Sequence, residues 1–232
     1  MKSFTDDDWA AFAEQLNDQG YAHLPNVLSH EECFDLSALY NHDGIFRKTI
    51  DMQRYRFGKG EYKYFNYPLP GTLQLLREQW YAPLASLANQ WMKHLSLPHH
   101  FPPDHAAFLK KCHEEGQNRP TPLMLKYETG GFNTMHQDLY GTVFFPFQVV
   151  FVLRQRGKDF EGGQFVMLEQ VPRAQSRAHV LDPDLGDAII FTTGFRPVKG
   201  TRGYYRAAMK HGISAVTAGE RYSMGLIFHD AS

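Results

Sequence analysis

Thr5 is followed by three aspartates, and Trp9, Phe12 and Leu16 then recur at steps of three and four residues. That spacing lays one apolar stripe along a helix, with a hydroxyl cap and negative charge at its positive end. Gly20 supplies the stop. GYAHLPNVLS then reads as a short strand and a turn, and Ser29-His30-Glu31-Glu32 as a capping box opening a helix to about Tyr40. A long amphipathic helix is expected over 73–97, from Leu76, Trp80, Leu84, Leu87 and Trp91, with Pro83 kinking or dividing it and Pro98 ending it. From Pro122 the pattern changes to short apolar runs: LMLKYE, GTVFFPFQVVFVL, QFVMLEQ, AHVLD, DAIIFTT, YYRAAMKHGISAV and RYSMGLIFH, divided by Gly, Pro and Asp turns. Evenly spaced strands of this kind predict a sandwich or jelly roll. The fold class is therefore mainly β with N-terminal helices (α+β), the helices buttressing one face of the β core. No repeat or low-complexity linker divides the chain. A single domain over 1–232 is expected, with 1–120 as helical lead-in, lid and support and 121–232 as the β core.

Composition narrows the class only a little. The 232 residues are 43% hydrophobic and 21% charged, with a net charge of −1 and a pI near 6.9. Bulk charge selects neither a polyanion nor a membrane surface as partner. Cys33 and Cys112 are the only cysteines, too few for a disulfide scaffold. The acidic start MKSFTDDDWAAF has no apolar core of a signal peptide, and no run reaches the ~18 apolar residues of a membrane span, so a cytoplasmic location is expected. Nothing in the sequence marks an obligate protein partner. The scattered His94, His99, His100, His105 and His113 surround a proline-rich connection, and a second metal site there is not expected.

The chemistry concentrates in LKYETGGFNTMHQDLYGT, residues 125 to 142. In an extended strand His136 and Asp138, two apart, project to the same face. One imidazole and one carboxylate aimed at a common point are two-thirds of a facial metal site that completes itself with a distant histidine. His211 is the best third ligand. In YYRAAMKHGIS it shares an alternating face with Tyr205, Ala207 and Met209, while Arg206 and Lys210 take the other. His179 and His229 are its rivals. Ten residues after His211 comes Arg221 (221 − 211 = 10), with Ser223 two further on.

The ordered set Tyr127, His136, Asp138, Gly186-Asp187, His211, Arg221 and Ser223, over roughly residues 121 to 230, resembles the Fe(II)/2-oxoglutarate-dependent oxygenase superfamily. Within it, the chain looks similar to an uncharacterised bacterial group related to AlkB-type and prolyl-hydroxylase-like enzymes. The resemblance implies a double-stranded β-helix (jelly roll, cupin-like) and a dioxygenase that hydroxylates or oxidatively demethylates its substrate, releasing succinate and CO2. It implies His136, Asp138 and His211 on Fe(II), with open positions for 2-oxoglutarate and O2. Arg221 and Ser223 would take the distal carboxylate of 2-oxoglutarate, which a planar guanidinium suits better than an ammonium. Tyr127 resembles a tyrosine that donates to the same carboxylate. Gly162-Gly163 and Gly186-Asp187 read as turns.

The substrate stays open among three classes. Between residues 43 and 70, Arg54, Arg56, Lys59 and Lys63 alternate with Tyr55, Phe57, Tyr62, Tyr64, Phe65 and Tyr67. Such interleaving can hold phosphates while stacking bases, which makes Arg54, Tyr55, Arg56, Tyr62 and Tyr64 candidate contacts to single-stranded or damaged nucleic acid. The plainer reading is an irregular hairpin whose aromatics pack on the barrel. Arg196, Lys199, Arg202, Arg206 and Lys210 form an acid-free stretch that could draw an anion to the metal. AlkB-type enzymes carry a second arginine six residues after the first, where this chain has Ile227. A protein side chain, as for prolyl hydroxylases, and a small molecule, as for phytanoyl-type hydroxylases, are the alternatives. A non-catalytic jelly-roll metal or ligand binder would have no need of the Arg221/Ser223 pair.

Overall fold

The computed structural model describes residues 2–138 and 141–232; Met1, Leu139 and Tyr140 lie outside the described residues, the last two within the 125–142 stretch. Helix α1 spans Asp6–Gln19. Thr5 caps it by accepting from the Asp8 amide, the Asp8 carboxylate answers on the Thr5 amide, and Gly20 ends it in the left-handed region at φ 81°. Strand β1, Tyr21–Leu24, follows. Ser29 and Glu32 form the reciprocal capping box that starts α2, His30–Ala38. Next come β2 (Phe46–Asp51), β3 (Gly58–Lys59) and β4 (Glu61–Phe65), then α3 (Gly71–His94) and α4 (His105–Glu114).

The remaining strands are β5 (Leu123–Glu128), β6 (Phe132–His136), β7 (Phe147–Val152), β8 (Phe160–Gly162), β9 (Phe165–Gln170), β10 (Arg177–Leu181), β11 (Ala188–Thr192), β12 (Phe195–Gly200), β13 (Gly203–Ile213) and β14 (Val216–Ile227). They form two antiparallel sheets. The larger runs β1-β11-β7-β14-β5-β4-β2, with β8 beside β14; the smaller runs β10-β9-β13-β6-β3, with β12 beside β13.

Two cores explain the sequence pattern. Val150, Val152, Ile189, Phe191 and Tyr127 of the larger sheet pack with Phe165, Met167, Met209 and Ile213 of the smaller one. The alternate residues of the same larger-sheet strands pack under the helices with Leu16, Trp80, Leu84 and Trp91: Val149, Phe151, Ile190, Met224 and Leu226. Strands covered on both faces read as unbroken apolar runs, and β7 and β11 are buried at every position. The smaller sheet has one open face, so β13 keeps the alternation that singled out His211. No helix among the described residues is long and apolar enough to cross a membrane.

Several expectations are corrected. Pro83 neither ends nor divides α3, which is continuous over Gly71–His94. Residues 141–146 are not strand; β7 begins at Phe147. The proline-rich connection contains α4, capped by Asp104 accepting from the Ala107 amide at 2.8 Å. Residues 1–120 are more than a helical support, because β1, β2 and β4 extend the larger sheet and β3 joins the smaller. The hairpin β2–β4 is thus part of the sandwich wall, with Tyr62 registered against Leu125 of β5.

Candidate active site

Histidines 136 and 211 are direct register partners across the β6–β13 pair. Directly opposed residues bring their side chains close, and the two imidazole centroids lie 4.2 Å apart. Strand β6 ends at His136, so Asp138 is not on the strand as the alternation argument expects; it sits in the loop just beyond. The turn still delivers its carboxylate between the rings. Oδ1 is 3.4 Å from His136 Nε2, and Oδ2 is 3.4 Å from His211 Nε2. Among the described residues this is the only group of three or more His, Cys, Asp or Glu whose ligand atoms all lie within 4.8 Å of one another.

The surroundings orient these groups. His136 Nδ1 donates to the Thr134 carbonyl at 2.7 Å, which leaves Nε2 as the lone-pair nitrogen facing the centre. Gln137 lines the cavity beside these groups and donates from Nε2 to the Gly194 and Met209 carbonyls, at 2.6 and 2.9 Å, fastening the loop to the smaller sheet. Burial opposes the charge on Asp138, yet the two imidazoles hold its carboxyl well below the usual range. Burial works against His136 as well, but Asp138 holds it above its ordinary value; at the buried His211 burial wins and the value falls. The rivals are elsewhere engaged. His179 lies 3.7 Å from Glu169 Oε2, and His229 Nδ1 accepts the Phe145 amide.

A cavity of about 280 Å³ opens beside this cluster. Its walls are mainly apolar, from Leu123, Leu125, Val150, Phe165, Phe191 and Ile227, and Ser223 and Tyr127 lie along it. Arg221 and Ser223 alternate with Tyr222 and Met224 on β14 and so face inward. Arg221 is buried, opposite Tyr127 in the β5–β14 register, with its guanidinium 5.9 Å from that ring. Its Nη1 donates to Ser223 Oγ at 3.0 Å, while Nε and Nη2 have no hydrogen-bond partner among the described residues. Burial lowers the guanidinium to about 10 and raises the buried Tyr127 phenol to about 12. Gly163, read from the sequence only as a turn, makes room here. At φ 62°, a Cβ on it would stand 2.8 Å from Arg221 Cδ.

The remaining sequence candidates divide. Tyr62 and Tyr64 line the cavity with Phe57. Arg54, Tyr55 and Arg56 sit on an exposed 3₁₀ turn and are not among the lining residues, though Tyr55 stacks on Phe57 at 5.6 Å. Lys63 points to the helical side, where it donates to the Tyr40 carbonyl and Asp43. The acid-free basic stretch does not form a field over the site. Arg196 is buried against Glu169, Arg206 lies over Phe195, and none of the five residues lines the cavity. Gln148, which the sequence reading passed over, does line it. A single polar residue in the apolar run FPFQVVFVL was the signal.

Solved structures share the fold. A prolyl-4-hydroxylase from Pseudomonas putida matches 97% of this chain and 99% of its own at a TM-score of 0.55 and 15% identity. An oxidoreductase of the 2OG-Fe(II) oxygenase family from Burkholderia pseudomallei matches 100% and 96% at 0.54 and 16%. The jelly-roll fold brings two imidazoles and a carboxylate to one point, a facial metal-site arrangement, and the class is an oxygenase. Within that class the chain belongs to the Oxygenase-NA family, described as an oxygenase catalysing oxidative methylation of damaged DNA, whose profile matches residues 60–231. Uncharacterized proteins from two strains of Mycobacterium tuberculosis are 43% identical over 168 residues, 72% of either chain.

Proposed function

We propose that the protein is an Fe(II)- and 2-oxoglutarate-dependent dioxygenase acting on methylated bases in single-stranded or damaged nucleic acid. His136 Nε2, His211 Nε2 and one Asp138 oxygen would hold the metal; three protein ligands fit an ion that must keep positions open. Bound there, iron supplies the oxidation of a C–H bond coupled to loss of CO2 from 2-oxoglutarate. The balance is one methyl C–H, O2 and 2-oxoglutarate in, and one C–OH, succinate and CO2 out. An N-hydroxymethyl group then releases formaldehyde and leaves N–H.

The chain's own residues prepare this. Arg221, with two donors unmatched and Ser223 alongside, is built for a buried carboxylate. Thr134 holds the His136 ring in the liganding tautomer. The apolar walls exclude water. The observation that carries the reading is that the cavity holding the His136–Asp138–His211 cluster is also lined by Ser223 and Tyr127, the two residues against which the buried, unmatched Arg221 guanidinium sits. The nucleic-acid part is supported by the family's description and by Phe57, Tyr62 and Tyr64 on the wall, where a flipped base could stack, with Arg54 and Arg56 outside for phosphates.

The test is anaerobic addition of Fe(II) and 2-oxoglutarate, read by the visible metal-to-ligand charge-transfer band. Oxygen is then admitted with a methylated single-stranded oligonucleotide, and succinate and formaldehyde are followed. A band with substrate-stimulated succinate and formaldehyde is expected. A band without stimulation would remove the nucleic-acid substrate and turn the search to peptides and small molecules; no band would remove the oxygenase reading.

A further inference from the structure

The metal-ligand cluster belongs to the smaller sheet and its loop, so the open side of a facial site faces the inner surface of the larger sheet. That surface is apolar around Leu123, Leu125, Val150, Gly225 and Ile227. One carboxamide interrupts it. Gln148 on β7 is only 5% exposed, and its Nε2 has no hydrogen-bond partner among the described residues. A buried amide left unmatched costs about 1–3 kcal/mol, and an apolar residue of that size would avoid the cost. An amide retained in such a place needs a partner that arrives with the ligand.

Register decides which ligand. Along β14 the inward residues are Arg221, Ser223, Gly225 and Ile227; their partners on β7 are Val152 beside Ser223, Val150 beside Gly225 and Gln148 beside Ile227. Four residues of strand separate Ser223 from the Gln148 level, roughly 13 Å. A five-carbon dicarboxylate built from ~1.5 Å bonds covers about half of that. The distal carboxylate of an acid anchored on Arg221 therefore lies well away from Gln148. On its other side Gln148 registers with Phe191 of β11, whose ring lies 4.6 Å from the His211 ring. The carboxamide thus lines the metal end of the cavity, away from the Arg221 end where the co-substrate's distal carboxylate would anchor.

We propose that Gln148 is a specificity-determining contact to the oxidised substrate, reading a donor–acceptor edge of the target base. This rests on the oxygenase and nucleic-acid reading above. A carboxamide offers one donor and one acceptor side by side, which matches the paired donor and acceptor of an amide-like base edge. With no partner for its Nε2 among the described residues, its terminal torsion can turn to present either order. Tyr62 and Tyr64 supply ring surface on the same cavity wall.

Gln148→Leu and Gln148→Glu test it, the first removing both polar atoms at nearly constant shape and the second removing the donor. The probe is a single-stranded oligonucleotide carrying 1-methyladenine, whose N6–H donor and N7 acceptor stay side by side. Three readouts are compared with the wild type: the anaerobic band titrated with 2-oxoglutarate, KM for the oligonucleotide, and formaldehyde per succinate. The expected result for Gln148→Leu is an unchanged 2-oxoglutarate titration, at least about a tenfold rise in oligonucleotide KM, as for one hydrogen bond lost in a desolvated site, and less formaldehyde per succinate. Wild-type KM and coupling in Gln148→Leu would overturn the role of Gln148 while leaving the function standing. A lost band would make Gln148 a co-substrate or folding residue and overturn it too. No stimulation of the wild type would overturn the nucleic-acid reading, and this inference with it.

Discussion

Arg221→Met offers a test in which two observables must move in opposite directions. The side chain is 1% exposed and its Nε and Nη2 have no hydrogen-bond partner among the described residues, so the fold holds a buried guanidinium. Burial takes its pKa from 12.5 to about 10. At ~1.36 kcal/mol per unit, keeping that charge costs the free fold on the order of 3 kcal/mol. Methionine keeps the stem and removes the charge. The ligand-free variant is expected to be more stable than wild type by up to that amount, which for a domain of this length is roughly 6–12 °C in Tm. The co-substrate effect runs the other way. Each charge-assisted hydrogen bond is worth ~1.5–3 kcal/mol, so losing the fork should weaken 2-oxoglutarate binding by two to four orders of magnitude, about 3–6 kcal/mol at ~1.4 kcal/mol per decade. The assay is thermal unfolding with Mn(II) as redox-silent metal, with and without 2-oxoglutarate. Wild type should gain stability on adding the co-substrate, and Arg221→Met should start higher and gain nothing. A variant several kcal/mol less stable than wild type would mean that Arg221 is already paired in the free protein. A preserved 2-oxoglutarate shift would remove it from the binding site. Either result refutes the reasoning.

Three further outcomes follow from the same geometry. Asp138→Ala should abolish metal binding measured by Mn(II) electron paramagnetic resonance, and turnover with it; wild-type 2-oxoglutarate consumption in that variant would contradict the ligand set. Gly163→Ala places a Cβ 2.8 Å from Arg221 Cδ at a left-handed φ of 62°, so it should cost at least about 1 kcal/mol and raise KM for 2-oxoglutarate, with kcat far less affected; an unchanged KM would show that Arg221 has room to spare. Stability should fall between about pH 6.5 and pH 4, because burial lowers His105 and His229 to about 4 while the unfolded chain titrates near 6.5. In that window the unfolded state binds the extra protons, so stability present above pH 6.5 is lost as pH drops, on the order of 3 kcal/mol per histidine. Urea melts of wild type and His105→Gln at pH 7.5, 5.5 and 4.5 check this, and equal slopes for the two proteins would exclude His105.

Much of the candidate site is legible in the sequence because its residues carry local signatures. The helix caps at Thr5, Gly20 and Ser29 depend only on near neighbours in the chain. The face of His211 could be read because β13 lies in a sheet with one open side, where apolar and polar residues must alternate. The inward direction of Arg221 and Ser223 follows from the period of two along β14. Other features had no local signature. Asp138 leaves the strand before its carboxylate turns in, and no periodicity marks where a strand ends. The basic stretch at 196–210 looked like one field, yet Glu169, far away in sequence, neutralises Arg196.

The sequence alone determined which residue types are present and which neighbours share a face, because both follow from covalent order and backbone period. Tertiary structure decided which faces meet. The β5–β14 register sets Tyr127 against Arg221, and the β6–β13 register sets His136 against His211. The β7–β14 register sets Gln148 against Ile227, four residues along β14 from Ser223. Pairing between strands distant in the chain is fixed by packing two sheets and four helices at once. A slip of one residue would turn every one of these side chains to the opposite face.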